Sequence, residues 1–409
     1  GILADPEGRD ERLETIELVG IAVRNRTRAR TFACDPALLT EDAVGLVTDP
    51  AVDVVIEVAG GVEPTRRLLV QALSAGKHVV TANKALLARH GEELFALARQ
   101  HGCQIRFEAS VGGGIPLLQP IRQSLGANRI HGLIGIVNGT TNYILTQMAA
   151  RQENYADALR EAQALGYAEA DPAADVEGND AQEKIAILAS LAYRVPLPDL
   201  QSVYREGITA VRLADVRYAQ ELGFAIKLLA FANRLADGRL DLRVHPTLVP
   251  VDHPLSRVDG PFNAVLIEGD PVGSIMFFGR GAGGGPTASA VVSDLINICA
   301  TLGQSAYRVQ AKSAPGFVPI AEVRTRFYIR LRALDRPGVM GVLGRIFGDH
   351  AVSLESIVQK TPQGGEAAEL VIITHNVVEA GLRAALEELQ ATGGVLEELC
   401  TVIRVLPEV

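Results

Sequence analysis

Apolar positions in the first hundred residues alternate between two patterns. Ile16–Val23, Val52–Ala59, His78–Thr81 and Gln104–Phe107 are short β-branched runs bounded by glycine or polar residues, the pattern of buried strands. Between them, Pro64–Ala75 and Ala85–Gln100 carry apolar residues at helical spacing. Each is followed by a glycine, Gly76 or Gly102, suited to the left-handed turn that ends a helix. Strands alternating with helices predict a parallel sheet covered on both faces, a doubly wound α/β fold that takes ligands at the carboxyl ends of its strands. In a dinucleotide-binding domain a GxGxxG loop follows the first strand, whereas this sequence opens on GILADPEG, Gly1–Gly8, without one. Either the first strand and loop lie outside this sequence, or the domain starts differently and binds a cofactor poorly. Val19–Arg24 reads as a second strand, which favours the former.

Further along, Ile134–Leu145 runs from a strand through a polar loop, Asn138-Gly139-Thr140-Thr141, into a helix with Thr140 or Thr141 as expected N-cap. Hydroxyls, amides and helix-end N–H groups there suit a carboxylate or phosphate, although ordinary capping explains the threonines equally well. Ala181–Tyr193 is a helix that places Asp180 and Lys184 one turn apart near its start. From Arg326 onward a strand, a helix to about Asp349, two strands (Val352–Gln359, Ala368–Thr374), a helix (Val378–Leu389) and a strand (Cys400–Val405) give a βαββαβ order.

A chain of 409 residues with 48% hydrophobic content exceeds one core and predicts two or three domains. Net charge of -9 without a basic run argues against nucleic acid or an anionic membrane as partner and for a small molecule. Four scattered cysteines without CxxC spacing read as thiols of a reducing compartment, and no run is suited to span a bilayer, so the expected location is cytoplasmic. Lysine occurs only at positions 77, 84, 184, 227, 312 and 360, which makes each one informative. Lys84 follows a strand directly, and Arg24, Arg26 and Arg28 end another. A basic strand end leans towards the 2′-phosphate of NADP over the free 2′-hydroxyl of NAD, the alternative being a solvated loop.

The motifs TANK at 81–84, EASVGGGIP at 108–116, NGTTNYIL at 138–145 and GYAEADPAADVEGNDAQEK at 166–184 resemble, in that order and spacing, homoserine dehydrogenase. Asp335-Arg-Pro-Gly-Val339 after the first strand of the tail resembles an ACT domain. The resemblances imply a Rossmann-type nucleotide domain at 1–115, with 286–320 returning to it. They further imply an α+β catalytic and dimerisation domain at 116–285, and a ferredoxin-like regulatory ACT domain at 326–409.

The implied reaction interconverts L-homoserine and L-aspartate 4-semialdehyde with NAD or NADP. By motif position Lys184 is the acid/base, Asp180 holds it and the substrate hydroxyl, and Lys84 lies near substrate and nicotinamide. Glu169 and Asp175 hold the amino acid, and Asn138, Gly139 and Thr140 contact it. Arg24, Ala59 and Gly283 are placed at the cofactor. Glu108 and the carbonyls of Val111, Gly113 and Ile115 are placed at a sodium ion. A partly desolvated lysine suits the acid/base role because burial lowers its pKa. L-threonine is the expected effector, and a dimer or tetramer the expected assembly. A second reading is a regulatory homologue that senses an amino acid without holding cofactor; retained turnover separates the two.

Overall fold

The computed structural model describes residue 2 and residues 9–30, 34–302, 313–360 and 367–407. The opening segment that lacks the glycine loop lies almost wholly outside these residues, as does part of the 286–320 return. Two compact units are formed, one from 1–128, 186–200 and 279–314, the other from 129–185, 201–278 and 315–409.

In the first unit, β1 (Ile21–Ala22) pairs in parallel with β2 (Leu39–Thr40), and β3 (Val54–Glu57), β4 (His78–Thr81) and β5 (Ile105–Arg106) form a separate parallel sheet. Helices α1 (Ala43–Thr48), α2 (Thr65–Ser74), α3 (Lys84–Gln100) and α4 (Leu118–Arg122) link or follow these strands. Gly76 and Gly102 take positive φ just past α2 and α3, as their sequence position predicts. Helix α10 (Gly284–Cys299) packs Val291 and Ile298 on Val80 of β4. The strand predicted over Ile16–Val23 shrinks to two residues. Among the described residues no strand joins β1 to β3. Leu18, Val19, Ile56 and Val58, on or flanking β1 and β3, are exposed.

The second unit is organised by an 11-stranded sheet. Its first part contains β6 (Arg129–Ile136), β7 (Tyr204–Arg205), β8 (Phe224–Arg234), β9 (Leu240–Pro250), β10 (Phe262–Asp270) and β11 (Gly273–Arg280). Helices α5 (Gly139–Arg151), α6 (Tyr155–Ala164), α7 (Ala173–Val176), the start of α8 (Asn179–Tyr193) and α9 (Leu213–Glu221) accompany it. The tail follows the predicted βαββαβ order: β12 (Arg324–Leu334), α11 (Val339–Asp349), β13 (Leu354–Lys360), β14 (Ala367–Thr374), α12 (Glu379–Ala391) and β16 (Leu396–Val405), with a short β15 (Val377–Val378) before α12. Phe327, Ile329, Leu331, Phe347, Ile372 and Leu389 fill its core.

The tail does not form a compact unit of its own. Strand β16 pairs in parallel with β9, Arg404 opposite Thr247 and Val405 opposite Leu248, so the order β11-β10-β6-β8-β9-β16-β12-β14-β13 is continuous. Buried charge reinforces the seam. Asp215 of α9 is wholly buried and receives Arg330 Nε at 2.6 Å and Thr401 Oγ1 at 3.0 Å, while Arg330 Nη1 reaches Glu369 at 2.7 Å. Arg404 bridges Glu379 of α12 and, at 2.8 Å, Glu206.

Candidate functional site

In the second unit β6 runs into α5, and the two residues after the strand gather the charged groups of α7 and α8. Asn138 precedes the helix in an extended conformation, and its Oδ1 accepts the Thr141 N–H at 2.8 Å. Asn138 is therefore the N-cap in place of either threonine, because a short amide side chain reaches the third N–H of the helix. Its Nδ2 is left to donate to Asp175 Oδ1 at 2.7 Å and Asp180 Oδ2 at 2.8 Å. One residue thus fixes the start of α5 and two carboxylates.

Asp180 and Lys184 project together from α8, with Nζ to Oδ2 at 2.7 Å and both side chains nearly buried. The ammonium also donates to the Val137 carbonyl at 2.6 Å. An exposed pair at this spacing is worth a few tenths of a kcal/mol. Burial costs both charges their hydration, so stability alone is a poor reason for the arrangement. Two of the three ammonium donors are engaged by described residues, which leaves one for a ligand. Burial, joined by the charge of Asp180, pushes the Asp175 carboxyl above its ordinary value, opposed by the Asn138 hydrogen bond and by Lys184.

The other predicted contacts divide. Gly139 is the first residue of α5. The Thr140 hydroxyl is used internally, donating to the Tyr167 carbonyl at 2.6 Å. Glu169 is exposed between α6 and α7, and its carbonyl accepts from Gln163 Nε2 at 3.1 Å. Its carboxylate does not join the Asn138 cluster. Sequence reasoning missed Lys227, buried on β8, which donates to the Val258 carbonyl at 2.7 Å and to Asp259 at 3.1 Å. A lone lysine inside the apolar run Phe224–Ala232, in a chain poor in lysine, was the available signal.

In the first unit the loops after β3 and β4 are tied together. Glu57 Oε1 accepts the N–H groups of Ala59 (2.8 Å) and Gly60 (3.0 Å), and its Oε2 accepts the Thr81 hydroxyl at 2.6 Å. Asn83 caps α3 through Leu86 N–H at 3.1 Å and donates to the Gly61 carbonyl at 2.6 Å. Lys84 is therefore the half-buried first residue of a well-capped helix at the carboxyl edge of the sheet. Glu57 escaped sequence reasoning, since it stands in no distinctive local pattern, and Asn83 was read only as part of the TANK motif, without a role of its own. Arg24 lies exposed just beyond β1, and Gly283, with φ +118, caps α10. Gly60 and Gly61 both have φ +73, and no atom lies within 4 Å of where a Cβ would stand, so this strand end is open to a ligand. Exposed Ala59, the glycines and the basic loop fit a dinucleotide laid across the strand ends.

The glycine turn packs closely on a neighbouring loop. Gly113 has φ +50, and a Cβ there would collide with the Gly281 carbonyl. Gly114 donates to the Arg280 carbonyl at 3.1 Å. The turn thus packs backbone against backbone. Glu108 is buried, and its carboxylate accepts the N–H groups of Leu117 (2.6 Å), Leu118 (2.7 Å) and Gln119 (2.8 Å). Oε1 receives two of these and Oε2 one, so only Oε2 keeps capacity for a cation.

Comparison with known proteins bears on both halves. A family model described as homoserine dehydrogenase matches residues 116–296, one described as homoserine dehydrogenase, NAD binding domain, matches 4–108, and one described as ACT domain matches 327–394. The chain is 49% identical to a homoserine dehydrogenase of Synechocystis over 99% of its length and 95% of the relative's. It is 42% identical to that of Pseudomonas aeruginosa, over 93% and 89%. Among solved structures, a homoserine dehydrogenase from Thiobacillus denitrificans superposes with TM-score 0.88 at 42% identity, covering 95% of this chain and 90% of that one. A hyperthermophilic archaeal homoserine dehydrogenase in complex with NADPH superposes with TM-score 0.56 at 31% identity, covering 64% and 76%. Among the described residues no helix is long and apolar enough to cross a membrane.

Proposed function

The chain belongs to the homoserine dehydrogenase family, and on that premise we propose that it interconverts L-homoserine and L-aspartate 4-semialdehyde as an NAD(P)-dependent oxidoreductase. The observation that carries this is the buried Asp180–Lys184 pair fastened by Asn138 and the Val137 carbonyl. Lys184 exchanges the proton of the substrate hydroxyl, and Asp180 holds its amine in place. Asp175 supplies negative charge for the α-ammonium group, joined by Glu169 if the 165–172 loop turns inward. Donors at the start of α5, from Gly139 and Thr140, receive the carboxylate.

The nicotinamide cofactor, when bound, accepts or returns the hydride. Arg24, Ala59, Lys84 and Gly283 would hold it, and the exposed arginines after β1 favour NADP. Glu108 Oε2 with the carbonyls of Val111, Gly113 and Ile115 would take a sodium ion, whose role is to fix the turn. The three functional segments are assigned to 1–115 with 286–320, 116–285 and 326–409. The ACT segment would bind L-threonine as inhibitor at the loop Asp335–Val339, where Gly338 starts α11. A second copy would pair along β11, one of the two end strands of the sheet, where Met276 and Phe278 are exposed. The scattered thiols agree with a cytoplasmic enzyme.

The test is the absorbance of reduced nicotinamide, followed with L-homoserine and each cofactor, with and without L-threonine. Reduction of NADP supports the reading. No reduction by this chain, nor by one bearing an added N-terminal strand and GxGxxG loop, overturns it in favour of a regulatory homologue.

A further inference from the structure

The loop 258–262 is fastened over the start of α5. Asn142 Nδ2 donates to the carbonyls of Val258 (2.8 Å) and Gly260 (2.9 Å), and Lys227 donates to Val258 from the other side. Gly260 N–H reaches Thr146 Oγ1 at 3.1 Å. The Pro261 carbonyl is thereby pressed against residue 139, where a Cβ would stand 2.8 Å from it. Only glycine fits.

Immediately after this loop lies Asn263, at the start of β10, one residue before Ala264 pairs with Ile136. It is 1% exposed. Its Oδ1 meets no hydrogen-bond donor among the described residues, and it lies 3.5 Å from the same position that a Cβ on Gly139 would fill. Leaving a buried acceptor unmet costs about 1–3 kcal/mol, so the exception calls for a partner. The N–H groups of Gly139 and Thr140 precede the first intrahelical bond of the 13-residue α5. Donors at the helix start are therefore flanked by one desolvated acceptor. An α-amino acid zwitterion carries the complement, a carboxylate and an ammonium on one carbon.

We propose that Asn263 is a substrate-binding residue whose Oδ1 accepts from the α-ammonium of an amino acid whose carboxylate rests on the start of α5. The proposal deepens the homoserine reading and rests on it. Asn263 supplies a neutral acceptor in addition to the carboxylate of Asp175, so that recognition depends on where the ammonium points as well as on its charge.

The experiment compares the wild-type chain with Asn263→Ala, Asn263→Ser and Asn263→Asp. Each is assayed with L-homoserine and with 4-hydroxybutanoate, its analogue without the amino group, as substrate or competitive inhibitor. Asn263→Ala is expected to raise the KM for L-homoserine about tenfold to a hundredfold, the scale of one hydrogen bond to a charged group, with the KM for NADP unchanged. Asn263→Asp, which keeps an acceptor, is expected to recover most of the loss. The penalty should vanish with 4-hydroxybutanoate. Should Asn263→Ala fail to fold, the serine and aspartate variants carry the comparison. An unchanged KM with a lowered melting temperature would mean that the oxygen holds only a structural water. An equal loss with both ligands, or an aspartate variant worse than alanine, would also overturn the proposal. A wild-type chain inactive towards L-homoserine is a different result and sinks the underlying reading instead.

Discussion

Lys184 and Asp175 share a cluster yet answer to different tests. Lys184→Ala is expected to lower turnover by about a hundredfold to ten-thousandfold, the range of general acid–base catalysis, while cofactor binding measured by fluorescence is kept. Lys184→Arg should fail as well, because arginine stays protonated. Retained activity in either variant would remove Lys184 from the proton transfer. The Asp175 carboxyl titrates above its ordinary value chiefly because it is buried. The native state therefore holds that proton more tightly than the unfolded chain. The group's contribution to stability is present in acid and is lost as pH rises through the raised pKa. Asp175→Asn is accordingly expected to stabilise the protein against urea at neutral pH and not in acid. The same substitution should raise the KM for L-homoserine and flatten its rise on acidification. At this scale the sequence disclosed the i, i+4 pair of Asp180 and Lys184 from helical spacing. It did not disclose that Asn138, two residues past a strand, would serve as cap and carboxylate anchor at once. That depends on α7 and α8 folding back onto β6, which local pattern does not encode.

Among the elements, the alternation of strand and helix in the first unit and the βαββαβ tail were legible because each segment carries its own period. Strand pairing between distant segments was not. Nothing in Leu396–Val405 announces that its far end will pair with Thr247 and Leu248. The buried charges at that seam offer a test. Removing Arg330 strands Asp215 without a counter-charge in a site that excludes water. Arg330→Met is expected to cost about 3–5 kcal/mol of stability, and adding Asp215→Asn to it should recover much of the loss. Urea denaturation of the two single variants and the double variant reads the coupling, and strictly additive losses would show that the pair does not interact.

For the whole molecule, composition argued against nucleic acid as main partner and implied several domains, but a surface for assembly could not be named without knowing which strands end the sheet. Phe278 of β11 stacks on Phe262 with ring centroids 5.2 Å apart and remains 55% exposed. Met276→Glu with Phe278→Glu is expected to shift the protein to a smaller species in light scattering; an unchanged mass would place the assembly surface elsewhere. The parallel pairing of β16 with β9 reaches further than its two residue pairs suggest. A regulatory tail carried on a tether could unravel by itself, exchanging its amide hydrogens for deuterium while the rest stays protected. A tail woven into the same hydrogen-bonded array should instead exchange in step with β8 and β9, opening as one foldon. An effector that quiets the tail would then slow exchange at Val137 and Asn138 as well, far away in sequence yet part of the same fabric.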